Sequence, residues 1–174
     1  MKTNSLFFRH PFFAIGAAGI VCLALLLYCI PIPIHLQYHA IEIKLDDSDY
    51  MIDRTILLNG TYDLNILQTS YFQGSIEVSG CSQTSEELLR IDINADYKEN
   101  GAALWYREMS ESVEQKTTRS CFGILYSDIF FSNPFILRFD TSQAWSTEDG
   151  YCIVSGVSTR EAALDKLRNR NVIH

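Results

Sequence analysis

Histidine is scarce in this chain of 174 residues, and its scarcity excludes more than any other feature. Beyond residue 30 only His35, His39 and His174 remain, two beside an apolar N-terminal segment and one at the last position. A Ser-His-Asp or Cys-His centre needs an imidazole held rigidly within reach of a nucleophile, so His-dependent catalysis is not expected. Cysteine is also sparse. Cys22 and Cys29 fall in the apolar segment, where a thiol is a small apolar filler. Cys81, Cys121 and Cys152 are too widely spaced for a metal site, and as an odd set they allow one disulfide with a thiol left over. Basic charge is the third shortage. The chain beyond residue 30 carries 12 of the 14 basic side chains and all 21 acidic ones, a net of −9. Phosphate backbones are held by clustered Lys and Arg, so no nucleic acid is expected as a partner.

Missing too is any segment between apolar runs with the length and period of a crossover helix, which argues against a parallel α/β sheet. No repeat of 20 to 50 residues is present. One long apolar run does exist. Phe12 to Ile30 reads FFAIGAAGIVCLALLLYCI, nineteen residues without a formal charge. At about 1.5 Å per residue it spans most of a hydrocarbon core about 30 Å thick. Lys2 and Arg9 precede it and every carboxylate follows it. The positive-inside rule therefore predicts a cytoplasmic N-terminus over 1–10, a transmembrane helix over 11–30, and an extracytoplasmic domain over 31–174. A cleaved signal peptide would have a shorter apolar region and a small-x-small site after it. Here the first small residue, Ala40, has Tyr38 two positions before it. The expected location is the cell membrane, single-pass, with the bilayer contacted through residues 12–30. Ala14, Ala18 and Cys22, four residues apart, give that helix a face on which it can pair with a second copy.

Beyond the apolar run the period is 2. In LLRIDINADY the odd positions Leu89, Ile91, Ile93, Ala95 and Tyr97 alternate with polar ones, the pattern of a half-buried strand. Phe135, Leu137 and Phe139 alternate with Ile136, Arg138 and Asp140, while SCFGILYSDIFF is nearly continuous, as for a strand covered on both sides. Ile34, Leu36 and Tyr38 are even but Ile41, Ile43 and Leu45 are odd, which predicts a bulge or bend near His39-Ala40. Strands are expected over 34–45, 54–58, 61–67, 75–79, 88–97, 102–109, 120–131, 134–140 and 151–157, some of them merging into a total of seven or eight.

Asn59-Gly60, Asn100-Gly101 and Asp149-Gly150 are hairpin-type dipeptides. A turn at Asn59-Gly60 would put Leu57, Tyr62 and Leu64 on one face. Asn59-Gly60-Thr61 also has the form of a glycosylation acceptor, and the turn is the favoured reading. The tail predicts a helix over 158–170, with Ser158 and Glu161 as a capping box, Val157 against Ala162, and an apolar stripe of Ala163, Leu164 and Leu167. Arg168 and Arg170 suit the negative end of its dipole. Together these predict a mainly-β domain, an antiparallel sandwich or small barrel with a short C-terminal helix, behind an N-terminal transmembrane helix.

Candidate sites are few. His35 and His39 have helical metal-pair spacing, but on a strand they lie about 13 Å apart. DDSDYMID, Asp46 to Asp53, lacks the glycine and the closing glutamate of a calcium loop and reads as a solvated acidic loop. No catalytic residue, metal or cofactor is assigned. Most aromatics belong to the core, but Trp145 sits in the TSQAWSTEDG loop, where it either seals the core or presents a contact surface. Trp145 and Tyr151 are the two candidate ligand or partner contacts. Tyr71 to Ser75, YFQGS, has the look of a protease-site scar but lacks the upstream glutamate, so it is read as native.

The stretch GTYDLNILQTSYFQGSIEVSG, residues 60 to 80, has a G-x-Y and a closing run Tyr71-Phe72-Gln73-Gly74-Ser75-Ile76-Glu77-Val78-Ser79-Gly80. It resembles uncharacterised small single-pass membrane-anchored proteins of Gram-positive bacteria with a β-rich outer domain. That resemblance implies a surface-facing location, with no activity and no site residues. The expected function is a binding or interaction module for an unknown protein or cell-envelope partner. The alternatives are a carboxylate-dependent cell-wall glycan enzyme and a barrel carrying a small apolar ligand.

Overall fold

The computed structural model describes residues 15–21, 30–63, 70–89, 91–93, 101–108, 118–140 and 144–173. Among these residues, nine strands form one antiparallel sheet: β1 (Ile32–Lys44), β2 (Met51–Asp63), β3 (Ser70–Val78), β4 (Glu87–Leu88), β5 (Ile91–Ile93), β6 (Ala102–Glu108), β7 (Thr118–Tyr126), β8 (Phe135–Arg138) and β9 (Tyr151–Ser155). Their order is β4-β6-β7-β8-β9-β1-β2-β3-β5. The two ends of that order, β4 and β5, are two residues apart in the chain. Leu88 pairs with Tyr106 of β6, while Ile91 pairs with Phe72 of β3. Three residues of extended chain reach about 10 Å at most, so the sheet curls into a half-barrel whose edges approach at residues 88–91.

Two cores follow from the two faces. Inside the curl pack Ile34, Leu58, Phe72, Leu104, Tyr106 and Ile136 among others. On the outer face of β1, β8 and β9 a second core, with Ile41, Ile43, Phe135, Leu137, Cys152 and Val154, lies under a helix at Arg160–Asn169. The helix is capped by Thr159, whose hydroxyl accepts from the Ala162 N–H at 3.3 Å, one residue later than the expected capping box. Ala163 and Leu167 are fully buried, and Arg160 donates to the carbonyls of Lys44 and Leu45, which ties the helix to the end of β1.

Several expectations are corrected. Asn59-Gly60 is not a turn: β2 runs straight through it, so 54–58 and 61–63 are one strand. Ile56, Leu58 and Tyr62 share the inward face, and Leu57 lies on the other one. Gly60 stands opposite Gly74 of β3, and a Cβ on either glycine would run into the other strand's backbone. The glycine answers a close approach of two strands, not a reversal of one.

His39-Ala40 carries no bulge, because β1 keeps one register against β2 from Ile32↔Tyr62 to Ile43↔Met51. The apolar phase changes because the covered face changes: Ile34 and Ala40 point into the curl, Ile41 and Ile43 under the helix. The strand expected over 88–97 divides into β4 and β5 where the chain leaves β6 for β3. Residues 94–97, and 64–67 of the expected strand 61–67, lie outside the described residues. β7 ends at Tyr126, and Ile129–Phe131 form a short 3-10 turn instead of continuing it. YFQGS lies in β3 with Phe72 fully buried, as native sequence would.

Residues 15–21 are helical and exposed. The rest of the 11–30 segment except Ile30 lies outside the described residues, including Ala14 and Cys22 of the expected pairing face. Among the described residues no helix is long and apolar enough to cross a membrane.

Candidate site at the distal end of the curled sheet

The described inward face carries no buried charge until the end of the sheet far from Ile32. There Glu42 of β1 points into the curl and is 0% exposed. It stands between Ile52 of β2 and Ile153 of β9 in the ladder. Burying a carboxylate costs several kcal/mol unless charges of opposite sign meet it with good geometry. Two do. Arg54 of β2 contacts Glu42 Oε2 through Nε at 2.7 Å and Nη2 at 2.6 Å, and its Nη1 donates to the Ser79 carbonyl at 2.8 Å. Arg138 of β8 brings its Nε to 2.7 Å from Oε1.

The second contact is closer than it is well aligned. Oε1 and the Arg138 Nε are buried atoms without a hydrogen bond of acceptable angle, although the distance is that of an ion pair. The attraction there is charge on charge. Both carboxylate oxygens face guanidinium groups, so Glu42 is a structural counter-ion. It is badly placed to exchange a proton with a substrate. Two guanidinium groups against one carboxylate leave the cluster with a formal charge of +1.

Arg138 is held on a second side as well. Its guanidinium lies 4.1 Å from the Tyr151 ring centroid, and Tyr151 meets Tyr50 edge to face at 5.5 Å. The Lys44 ammonium is 5.7 Å from the same Tyr151 ring. The two terminal nitrogens of Arg138 make no hydrogen bond among the described residues. Arg138 lines an open cleft of about 830 Å³ together with Ser82, Gln83, Glu86, Ser120, Asp140 and Tyr151, among others. Gln83 donates to the Ser120 hydroxyl at 2.7 Å across its floor.

The environment shifts the neighbours. Burial alone would lower the Arg54 pKa, but the hydrogen bond and charge of Glu42 outweigh it and the net shift is upward. Burial pushes the Cys81 thiol up, opposed by the charge of Arg54. Tyr50 is raised first by burial and then by the charge of Glu42. None of these groups is set up as a nucleophile near neutral pH.

Of the two residues singled out in the sequence, Tyr151 belongs to this cluster and Trp145 does not. Trp145 packs on the outer core and donates from Nε1 to the Tyr151 carbonyl at 3.0 Å. The sheet separates the two side chains, so they do not form one patch. Trp145 instead borders a separate surface pocket of about 550 Å³ with Phe135, Leu137, Arg170 and Val172. Cys81, Cys121 and Cys152 are all free thiols. The acidic loop is solvated: Lys44 pairs with Asp46 at 3.1 Å, the Asp49 N–H donates to Asp47, and Asp53 already lies in β2. His35 and His39 both lie on a strand, near Asn59 and Asp53 respectively.

Glu42, Arg54 and Arg138 are the residues that sequence reading missed. A signal was there. Glu42 interrupts the apolar run AIEIKL, and Arg138 shares a strand face with Ile136. No protein family, no curated protein and no solved structure matches the chain.

Proposed function

We propose that this chain is a membrane-anchored binding module. The apolar segment 12–30 holds it in the bilayer with its N-terminus in the cytoplasm, and the β-domain stands outside and offers the distal cleft to a ligand or cell-envelope partner. The observation that carries the reading is Arg138. Its guanidinium pairs with Glu42 and lies against the Tyr151 ring, the residue lines an open cleft, and its terminal nitrogens make no hydrogen bond among the described residues. A guanidinium pre-organised in this way loses little freedom when it binds a planar acceptor.

The test is a photo-crosslinking residue at Gln83, in the cleft, compared with the same residue at the exposed outer position Trp105, in intact membranes. The expected outcome is a discrete adduct from Gln83 only, lost with Arg138→Gln. Equal labelling from both positions, or an adduct indifferent to Arg138→Gln, would overturn the assignment to the cleft.

The enzyme reading has one observation in its favour, since Glu86 and Asp140 border the same cleft. Glycan cleavage lost in both Glu86→Gln and Asp140→Asn would carry it. The carrier reading has less support, because large side chains such as Phe72, Leu104, Tyr106 and Leu125 fill the curl.

A further inference from the structure

The opposite, proximal end of the sheet, where β1 begins, is closed in a different way. Phe131 is buried there against Phe72, with ring centroids 5.0 Å apart, and against Tyr62 at 6.1 Å, and its carbonyl accepts from the Tyr38 hydroxyl at 2.8 Å. It takes a left-handed backbone conformation to do so. Phe130 and Phe131 have φ of 56° and 60°, a conformation bulky residues rarely adopt. Two such residues in succession are strained and persist only where the surroundings over-determine them. With Phe131 pinned inside, Phe130 is turned outward. Its ring rests edge-on against Tyr62 at 5.6 Å and is 44% exposed.

That position has a neighbour of consequence. Tyr62 is the ladder partner of Ile32, and Ile32 follows the apolar segment 12–30 by two residues. Ile30 is itself 59% exposed. No Asp, Glu, Lys or Arg occurs between Arg9 and Glu42, so the proximal part of β1 brings no formal charge to this rim. Aromatic side chains beside the end of an apolar span favour the interface between hydrocarbon and headgroups. The exposed Met51 and Ile52 have no such setting, because they lie at the other end of the ladder, opposite Ile43 and Glu42.

We infer that the proximal rim rests on the bilayer surface, with Phe130 in the headgroup region beside the end of the anchor. This rests on the anchored reading proposed above. It orients the domain. Glu42 is ten residues along β1 from Ile32, about 33 Å at a strand's rise, so the cleft is presented away from the membrane as the anchored β-domain stands on it.

The experiment uses the full chain reconstituted in zwitterionic phosphatidylcholine vesicles, with plain or brominated acyl chains. Phe130→Trp and, at the distal end, Met51→Trp each add one indole to the parent's emission. The expected result is that brominated lipid removes most of the emission added by Phe130→Trp and none of that added by Met51→Trp. Equal emission in both lipids for Phe130→Trp, with the chain retained in the vesicles after alkaline carbonate washing, overturns the rim contact and leaves the anchor standing. Release of the chain by carbonate overturns the anchor and the rim contact with it. If Phe130→Trp does not fold, Ser132→Trp, at the exposed position two residues on, reads the same depth.

Discussion

The two ends of the curled sheet solve the same problem with opposite chemistry. At the proximal end an aromatic plug of Phe131, Phe72 and Tyr62 closes the curl, with a single hydroxyl used on its backbone. At the distal end the closure is ionic, a buried carboxylate between two guanidinium groups. Apolar closure is stabilising in itself and leaves nothing for a ligand to recognise. Ionic closure roughly breaks even against its own desolvation but leaves oriented, partly unsatisfied donors at a surface. The contrast separates an end closed by apolar burial from an end closed by charge.

The comparison breaks most sharply at Glu42. Glu42→Ala leaves Arg54 and Arg138 facing each other without a counter-ion, and a loss of about 3–5 kcal/mol is expected in urea unfolding. The sharpening experiment replaces all three with apolar residues, Glu42→Leu, Arg54→Met and Arg138→Met. Stability close to the parent's is then expected, since well-packed apolar residues often match a buried ion cluster. A triple variant as unstable as Glu42→Ala would mean that the ionic end is there for stability and the contrast is wrong.

Phe131→Ala should cost about 3 kcal/mol, toward the low end for a buried Phe because removing the ring also releases backbone strain. Thermal unfolding would show it as a lowered midpoint.

The smallest effect concerns pH. Burial raises the Cys152 thiol to about 12, while the half-buried Cys81 at the distal mouth is raised without a comparable seal. A raised folded pKa means that the protonated form is favoured by folding, so this contribution is complete below the unfolded thiol's pKa near 9. It is lost progressively as pH rises to about 12. Stability should fall across that window, and Cys152→Ala should flatten the fall. A thiol reagent at neutral pH should modify Cys81 well before Cys152.

Much of the strand content was legible, for a physical reason: alternation records which face of a strand is wet, and that is local. The same locality misled at two places. Asn59-Gly60 has the composition of a turn, but the apolar positions keep their even phase through it, from Ile56 and Leu58 to Tyr62. A hairpin would have needed the strand to end there. The phase break after Tyr38 marks no bulge, because a second core under the helix produces the same pattern. For the site, Tyr151 was picked out for its ring alone. Glu42, Arg54 and Arg138 are 96 positions apart from first to last, and no local pattern links them.

From the sequence come a mainly-β domain with a short terminal helix and the uncharged run that precedes it. These depend on composition and on periods of a few residues, which a chain carries whatever its fold. Only the tertiary structure decided that the sheet curls, that its two ends differ, and that one acid meets two bases inside it. Those are consequences of strand order and register, and register is set where distant strands meet.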